Sequence, residues 1–262
     1  MNGGSGDPGI RESGSGLAEY LLRLGDDRLV LGHRLSEWCG HGPVLEEDIA
    51  SANIALDLLG QATIFLRMAG QAEAAGRDED ALAYWRDEGQ FRNVSIAELP
   101  PGDFGFTTLR QFLFSAWSFH HLEALTSSGN AELAAVTAKA LKETRYHVRH
   151  ASEWVLRLGD GTEESHGRMQ RAMDELWPWT GELFWQNGVD AALHQAGIGP
   201  DLEPLKAPWE AMVRDVAGRA TLTIPSGPMR MSRGRQGHHT EHLGHMLAEM
   251  QIVARSHPGA KW

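Results

Sequence analysis

Between residues 28 and 62 two helical patterns meet at a five-residue turn, Cys39-Gly-His-Gly-Pro43, and this pairing restricts the chain more than any other feature. Before the turn, Leu17, Leu21, Leu24, Leu31, Leu35 and Trp38 fall on one helical face over about 17–38. After it, Ile49, Ala52, Leu56, Leu59, Thr63 and Leu66 repeat every three or four residues over about 45–72. Glu46, Glu47 and Asp48 occupy the first turn of that second helix, where its dipole favours negative charge. Two long helices joined this tightly must run antiparallel, as an αα-hairpin. Leu22, Leu29 and His33 make a smaller second face on the first helix and predict a further contact there, with another element or another subunit.

A second hairpin follows. Residues 76–105 are broken by Gly76, Gly89, Pro100, Pro101 and Gly102, which predicts short helices and loops. A helix over about 106–125 ends at Ser127-Ser-Gly-Asn130, and another over about 131–158 closes at Gly159-Asp-Gly161. Further helices are expected over about 163–186, 188–196, 203–220 and 239–255, with a loop over 224–237. No Val/Ile/Thr alternation is long enough to predict a strand. The expected fold is therefore all-α: a ferritin-like four-helix bundle with additional C-terminal helices. The Gly/Ser-rich residues 1–16 read as a disordered tail, and 17–262 as a single domain.

Composition narrows the function classes. A net charge of −11 argues against nucleic acid as a partner, because phosphate backbones need a basic footprint. No wholly apolar run approaches the roughly 18 residues that would cross a bilayer, so no membrane partner is expected. The N-terminus lacks the basic and apolar regions of a signal peptide. The single Cys39 forbids an internal disulfide or a thiolate-built metal site, and a cytoplasmic location is the natural expectation.

In such bundles a di-iron centre takes carboxylates and Glu-x-x-His pairs from inward-facing positions. Here Glu143 and His147 approach the pattern with a spacing of four rather than three, and Asp57-Leu-Leu-Gly60 offers a carboxylate with no histidine. Folding each hairpin about its turn sets Glu143 opposite Ser115, His147 opposite Gln111, and Asp57 near Leu29, with Asp26 or Asp27 within a turn. About six ligands are needed, and three can be placed. Asp57, Glu143 and His147 are thus at most a remnant metal set, and with Asn53 they fit better as hydrogen-bonded polar networks between helices.

Two further groups stand out. His238-His-Thr-Glu-His242 matches the H-x-x-E-H zinc pattern, with His245 one turn on. Exposed or interfacial histidines at a helix start, with Thr240 near the cap, fit the stretch better. Arg230, Arg233 and Arg235 lie within six residues of an otherwise acidic chain. They read as a solvated basic loop, or as a contact for an anionic partner surface or a phosphate-bearing ligand such as coenzyme A.

Several segments together resemble a known family: Leu31-Gly-His-Arg-Leu-Ser-Glu-Trp-Cys-Gly-His41, Asn53-Ile-Ala-Leu-Asp-Leu-Leu-Gly-Gln-Ala62, Arg86-Asp-Glu88 with Phe91, Ala138-Lys-Ala-Leu-Lys-Glu143 with Arg145-Tyr-His147, Leu158-Gly-Asp-Gly-Thr162, and His239-Thr-Glu-His-Leu-Gly244. They resemble the C subunit of phenylacetyl-CoA 1,2-epoxidase, over roughly 17–262. The resemblance implies a ferritin-like, non-catalytic structural subunit with no cofactor of its own. It also implies a partner, the homologous A subunit, that carries the di-iron centre and binds the CoA thioester, and a more loosely associated reductase that delivers electrons from NADPH. Where that family commonly shows Asp-Ala-Trp-His, this chain has Ser115-Ala-Trp-Ser118, and His238 stands at a usually apolar position. The competing expectation is a free-standing metal-dependent oxygenase or hydrolase using Glu143, His147 and the histidines at 239, 242 and 245.

Overall fold

The computed structural model describes residues 8–230 and 232–260. Four long helices form the body: α1 (Pro8–Ser36), α2 (Leu45–Glu73), α5 (Phe104–Leu125) and α6 (Ala131–Gly159). Between the hairpins lie α3 (Glu79–Tyr84) and α4 (Ser95–Glu98), and after them come α7 (Glu163–Leu176), α8 (Gly188–Gln195), α9 (Glu203–Arg219) and α10 (Glu241–Ser256). No strand occurs among the described residues. α1 packs along α2 and α5 along α6, as the turn positions predicted.

Local chemistry sets the ends. The Asp48 carboxylate accepts from the Gly40 and Gly42 N–H groups at 2.8 and 3.1 Å, closing the turn between α1 and α2. The Asn130 side chain caps α6 by accepting from Leu133 N–H at 3.0 Å. The helix expected to continue to residue 186 instead becomes a 3-10 segment, Trp177–Phe184, because Pro178 has no N–H to donate. At the other end, α1 is already helical at Pro8, the first of the described residues, rather than starting near Leu17. The tail expected through residue 16 overlaps the first turns of this helix, and residues 1–7 lie outside the described residues.

The two hairpins are not equivalent. α1 is deeply buried, with Val30 and Leu31 fully so and Asp26, Asp27 and Arg28 equally. Its close approach to α2 depends on Gly25, where a Cβ would sit 2.7 Å from the Leu66 side chain. The second face of α1 is covered within the chain, Leu29 being buried, and α4 and α8 pack against the helix. The free apolar surface lies instead on α2, at Leu45, Ile49 and Leu56, and on α10, at Ile252 and Val253. By length and composition α2 alone among the described helices could cross a bilayer. Its inner face, however, packs Ile54, Leu58, Phe65 and Leu66 into the core.

Candidate functional site

The seam between the hairpins is polar, and its register follows from helical spacing. Asp57 and Gln61 are one turn apart on α2, and Glu143 and His147 one turn apart on the antiparallel α6. His147 Nε2 meets Asp57 Oδ2 at 3.0 Å, and Gln61 Nε2 donates to Glu143 Oε2 at 2.8 Å. Folding each hairpin on itself missed these pairs because they form across the hairpins. Gln111 and Ser115, expected opposite His147 and Glu143, bond to each other at 2.8 Å on α5.

A cation already stands in the seam. The Arg28 guanidinium donates to Gln61 Oε1 at 2.9 Å, to Ser118 Oγ at 3.1 Å and to the Leu24 carbonyl at 2.9 Å, and lies over the Phe65 ring. Burial pulls its pKa down to about 10, which leaves it charged at neutral pH. Gln61 links this guanidinium to Glu143, the Asp27 charge favours its protonated form, and Asp57 serves His147. Asp26 and Asp27 turn away from the seam toward arginines of other segments. Among the described residues no three of His, Cys, Asp and Glu gather closely enough to hold a metal ion. A di-iron centre does not fit this donor set.

Charged residues of α1 carry most of the remaining order. Asp26 pairs with Arg86, and Arg23 with Asp190 of α8 at 2.8 Å. Arg34 donates to the Glu98 and His242 carbonyls at 2.8–3.0 Å, tying α1 to α4 and α10. Arg235 corrects the reading of a solvated basic loop. It turns inward, 7% exposed, and its Nη1 and Nη2 donate to the two Asp27 carboxylate oxygens at 3.0 and 2.7 Å. Burial pushes the Asp27 carboxyl up, against the pull of Arg235, yet its three accepted hydrogen bonds, one from Val94 N–H, mark it as ionised. The loop can come this close because Gly237 takes φ +80° and a Cβ there would strike the Gly89 carbonyl oxygen at 2.3 Å. Arg230 and Arg233 remain exposed.

The histidine cluster does not form a zinc site. His238 lies before α10, paired with Arg233 in an isolated bridge, so the H-x-x-E-H spacing is not presented on one helix. Its neighbour His239 is structural: Nδ1 meets Glu98 Oε2 at 2.8 Å and Nε2 donates to the Phe91 carbonyl at 3.1 Å. Burial opposes its charge, but the Glu98 bond and charge and the Phe91 carbonyl hold its pKa above the ordinary value. His121, bonded to Tyr20 Oη at 2.7 Å, is pulled down to about 3, first by burial and then by Arg28 and Arg235.

These two shifts act on opposite sides of the unfolded value of about 6.5. The His239 contribution is complete below that value and is lost as pH rises through its raised folded pKa. The His121 contribution is complete above it and is lost as pH falls toward 3. Melting temperature followed against pH should show both losses in the wild type, and His239→Gln should flatten the alkaline one. An unchanged alkaline limb would contradict the assignment.

The family description "Phenylacetic acid catabolic protein" matches residues 6–262. The chain belongs to this family. A relative from Escherichia coli (strain K12), the C subunit of 1,2-phenylacetyl-CoA epoxidase, is 49% identical over 246 residues, covering 94% of this chain and 99% of that protein. The resemblance noted in the sequence is thus shown, and the all-helical architecture agrees with it. Of the segments that carried it, 31–41 spans the end of α1 and its turn, while 53–62 and 138–147 supply the two sides of the seam. Arg86 and Phe91 join Asp26 and His239 at the anchorage of the C-terminal segment.

Proposed function

We propose that this chain is the structural, non-catalytic C subunit of a phenylacetyl-CoA 1,2-epoxidase complex, working in the cytoplasm beside a di-iron A subunit that it binds and stabilises. The near full-length match to the C subunit of such an epoxidase carries the reading. The seam supports the non-catalytic part: its centre holds Arg28 where metal-bridging carboxylates would be required. In this role the chain keeps no iron, and electrons from the reductase and the epoxidation itself belong to the partner. The exposed stripe of Leu45, Ile49 and Leu56 on α2 supplies an apolar face for that partner.

Glu143→Ala separates this role from a free-standing metal enzyme. The substitution strips Gln61 Nε2 of its acceptor and should cost about 1–2 kcal/mol of stability. Epoxide formation per assembled complex should stay at the wild-type rate. Loss of turnover in a folded, assembled complex would overturn the proposal.

A further inference from the structure

The 224–240 segment leaves a second feature that the seam does not use. An open cavity of about 340 Å³ is lined there by Arg230, Arg233, His238, Ser95, Ser232 and Thr240, with Trp179 and His239. Among the described residues neither Arg230 nor Arg233 makes an ion pair, in a chain whose net charge is −11. The Arg230 backbone N–H donates to the Pro178 carbonyl at 2.7 Å, and its guanidinium stacks 4.5 Å from the centre of the Trp179 ring. Arg233 is set by the bridge to His238 and by the hydrogen bonds that His238 and Gln236 N–H donate to its carbonyl. The main chain at both positions is fixed by these hydrogen bonds, and no acidic neighbour among the described residues pairs with either guanidinium.

Two hydroxyls in the lining are unsatisfied. Ser232 Oγ and Thr240 Oγ1 are shielded from solvent with no hydrogen-bond partner. Thr240 is the N-cap residue of the 16-residue α10, yet its side chain caps nothing, the Glu98 carboxylate instead accepting from its backbone N–H at 2.6 Å. The carboxylates beneath are already engaged. Glu98 accepts from Asn93, His239 and Thr240 N–H, and Glu182 accepts from Ser95 and Arg235 N–H.

We infer that this cavity is a binding site for a phosphate-bearing small molecule, with Arg230 and Arg233 as the charge partners and Ser232 and Thr240 as hydroxyl donors. Arginine forks match phosphate oxygens bidentately. The volume exceeds a single phosphate and lies at the lower end of small-molecule sites, which favours a diphosphate or a phosphate ester. The inference does not depend on the role proposed above.

Titration calorimetry of the full chain with inorganic phosphate, pyrophosphate and ADP tests it. Pyrophosphate should bind, more weakly as salt rises, and the Arg230→Ala/Arg233→Ala variant should lose about tenfold or more in affinity. Both side chains are exposed, so this variant should melt with the wild type. Thr240→Val provides a second, uncharged probe and should also weaken binding. ADP binding tighter than pyrophosphate would identify a phosphate ester as the ligand, and the reverse order a free diphosphate. No binding of any of the three, or equal binding by the double-arginine variant, would overturn the inference.

Discussion

Asp27→Ala is expected to destabilise the chain by about 3–5 kcal/mol, a large fraction of the roughly 5–15 kcal/mol that a folded domain has in total. Asp27 is fully buried and receives Arg235 through both terminal guanidinium nitrogens, so truncation strips a buried cation of the carboxylate it is bonded to and leaves only the more distant charges of Glu182 and Asp190. It also removes the acceptor of Val94 N–H at 2.8 Å. The loss should loosen the C-terminal segment from α1 first, because Arg235 joins that segment to the Arg23 and Arg92 carbonyls as well. Replacing both partners, Asp27→Leu with Arg235→Met, should recover much of the stability, since an apolar pair leaves no orphaned charge. Urea denaturation of the wild type and both variants checks this. A cost below about 0.5 kcal/mol for Asp27→Ala, typical of surface changes, would show that the pair does not hold the segment down.

Leu56→Arg should release the partner while sparing the chain. Leu56 is 66% exposed, and α2 carries Ile49 and Leu45 on the same stripe at helical spacing. A charge at the centre of a desolvated apolar contact costs about 2–4 kcal/mol of binding, thirtyfold to a thousandfold in Kd. The melting temperature of the free chain should barely move. Titration of the variant against the A subunit by interferometry reads the loss. Unchanged affinity would direct attention to the other exposed apolar site, Ile252 and Val253 on α10.

Sequence reading went furthest where periodicity is dense. The four long helices, their turns and the all-α class follow from apolar spacing, Gly/Pro punctuation and capping residues such as Asn130. It misplaces the inner face of α2, where Ile49, Leu56 and Thr63 of the expected repeat are exposed while Ile54, Leu58 and Phe65 enter the core. On α1 the further contact it expects is made by other elements of the same chain, and what it leaves out is the partners of the buried charges. The signal available was the Asp26-Asp-Arg28 run inside an otherwise apolar helix. Three adjacent charges there demand buried partners, but the partners Arg86, Arg235 and Gln61 are too distant in sequence for local spacing to identify. The same limit hid His147–Asp57 and Gln61–Glu143, since each joins different hairpins. Arg235 looked like its neighbours Arg230 and Arg233, and only the tight approach at Gly237 distinguishes the one that turns inward.

The central claim, a structural partner without its own metal, is tested most directly by size-exclusion chromatography of the chain with the A subunit, with iron measured in each component separately. The account predicts co-elution with iron confined to the A subunit. A chain that elutes alone and carries near-stoichiometric metal of its own would contradict it.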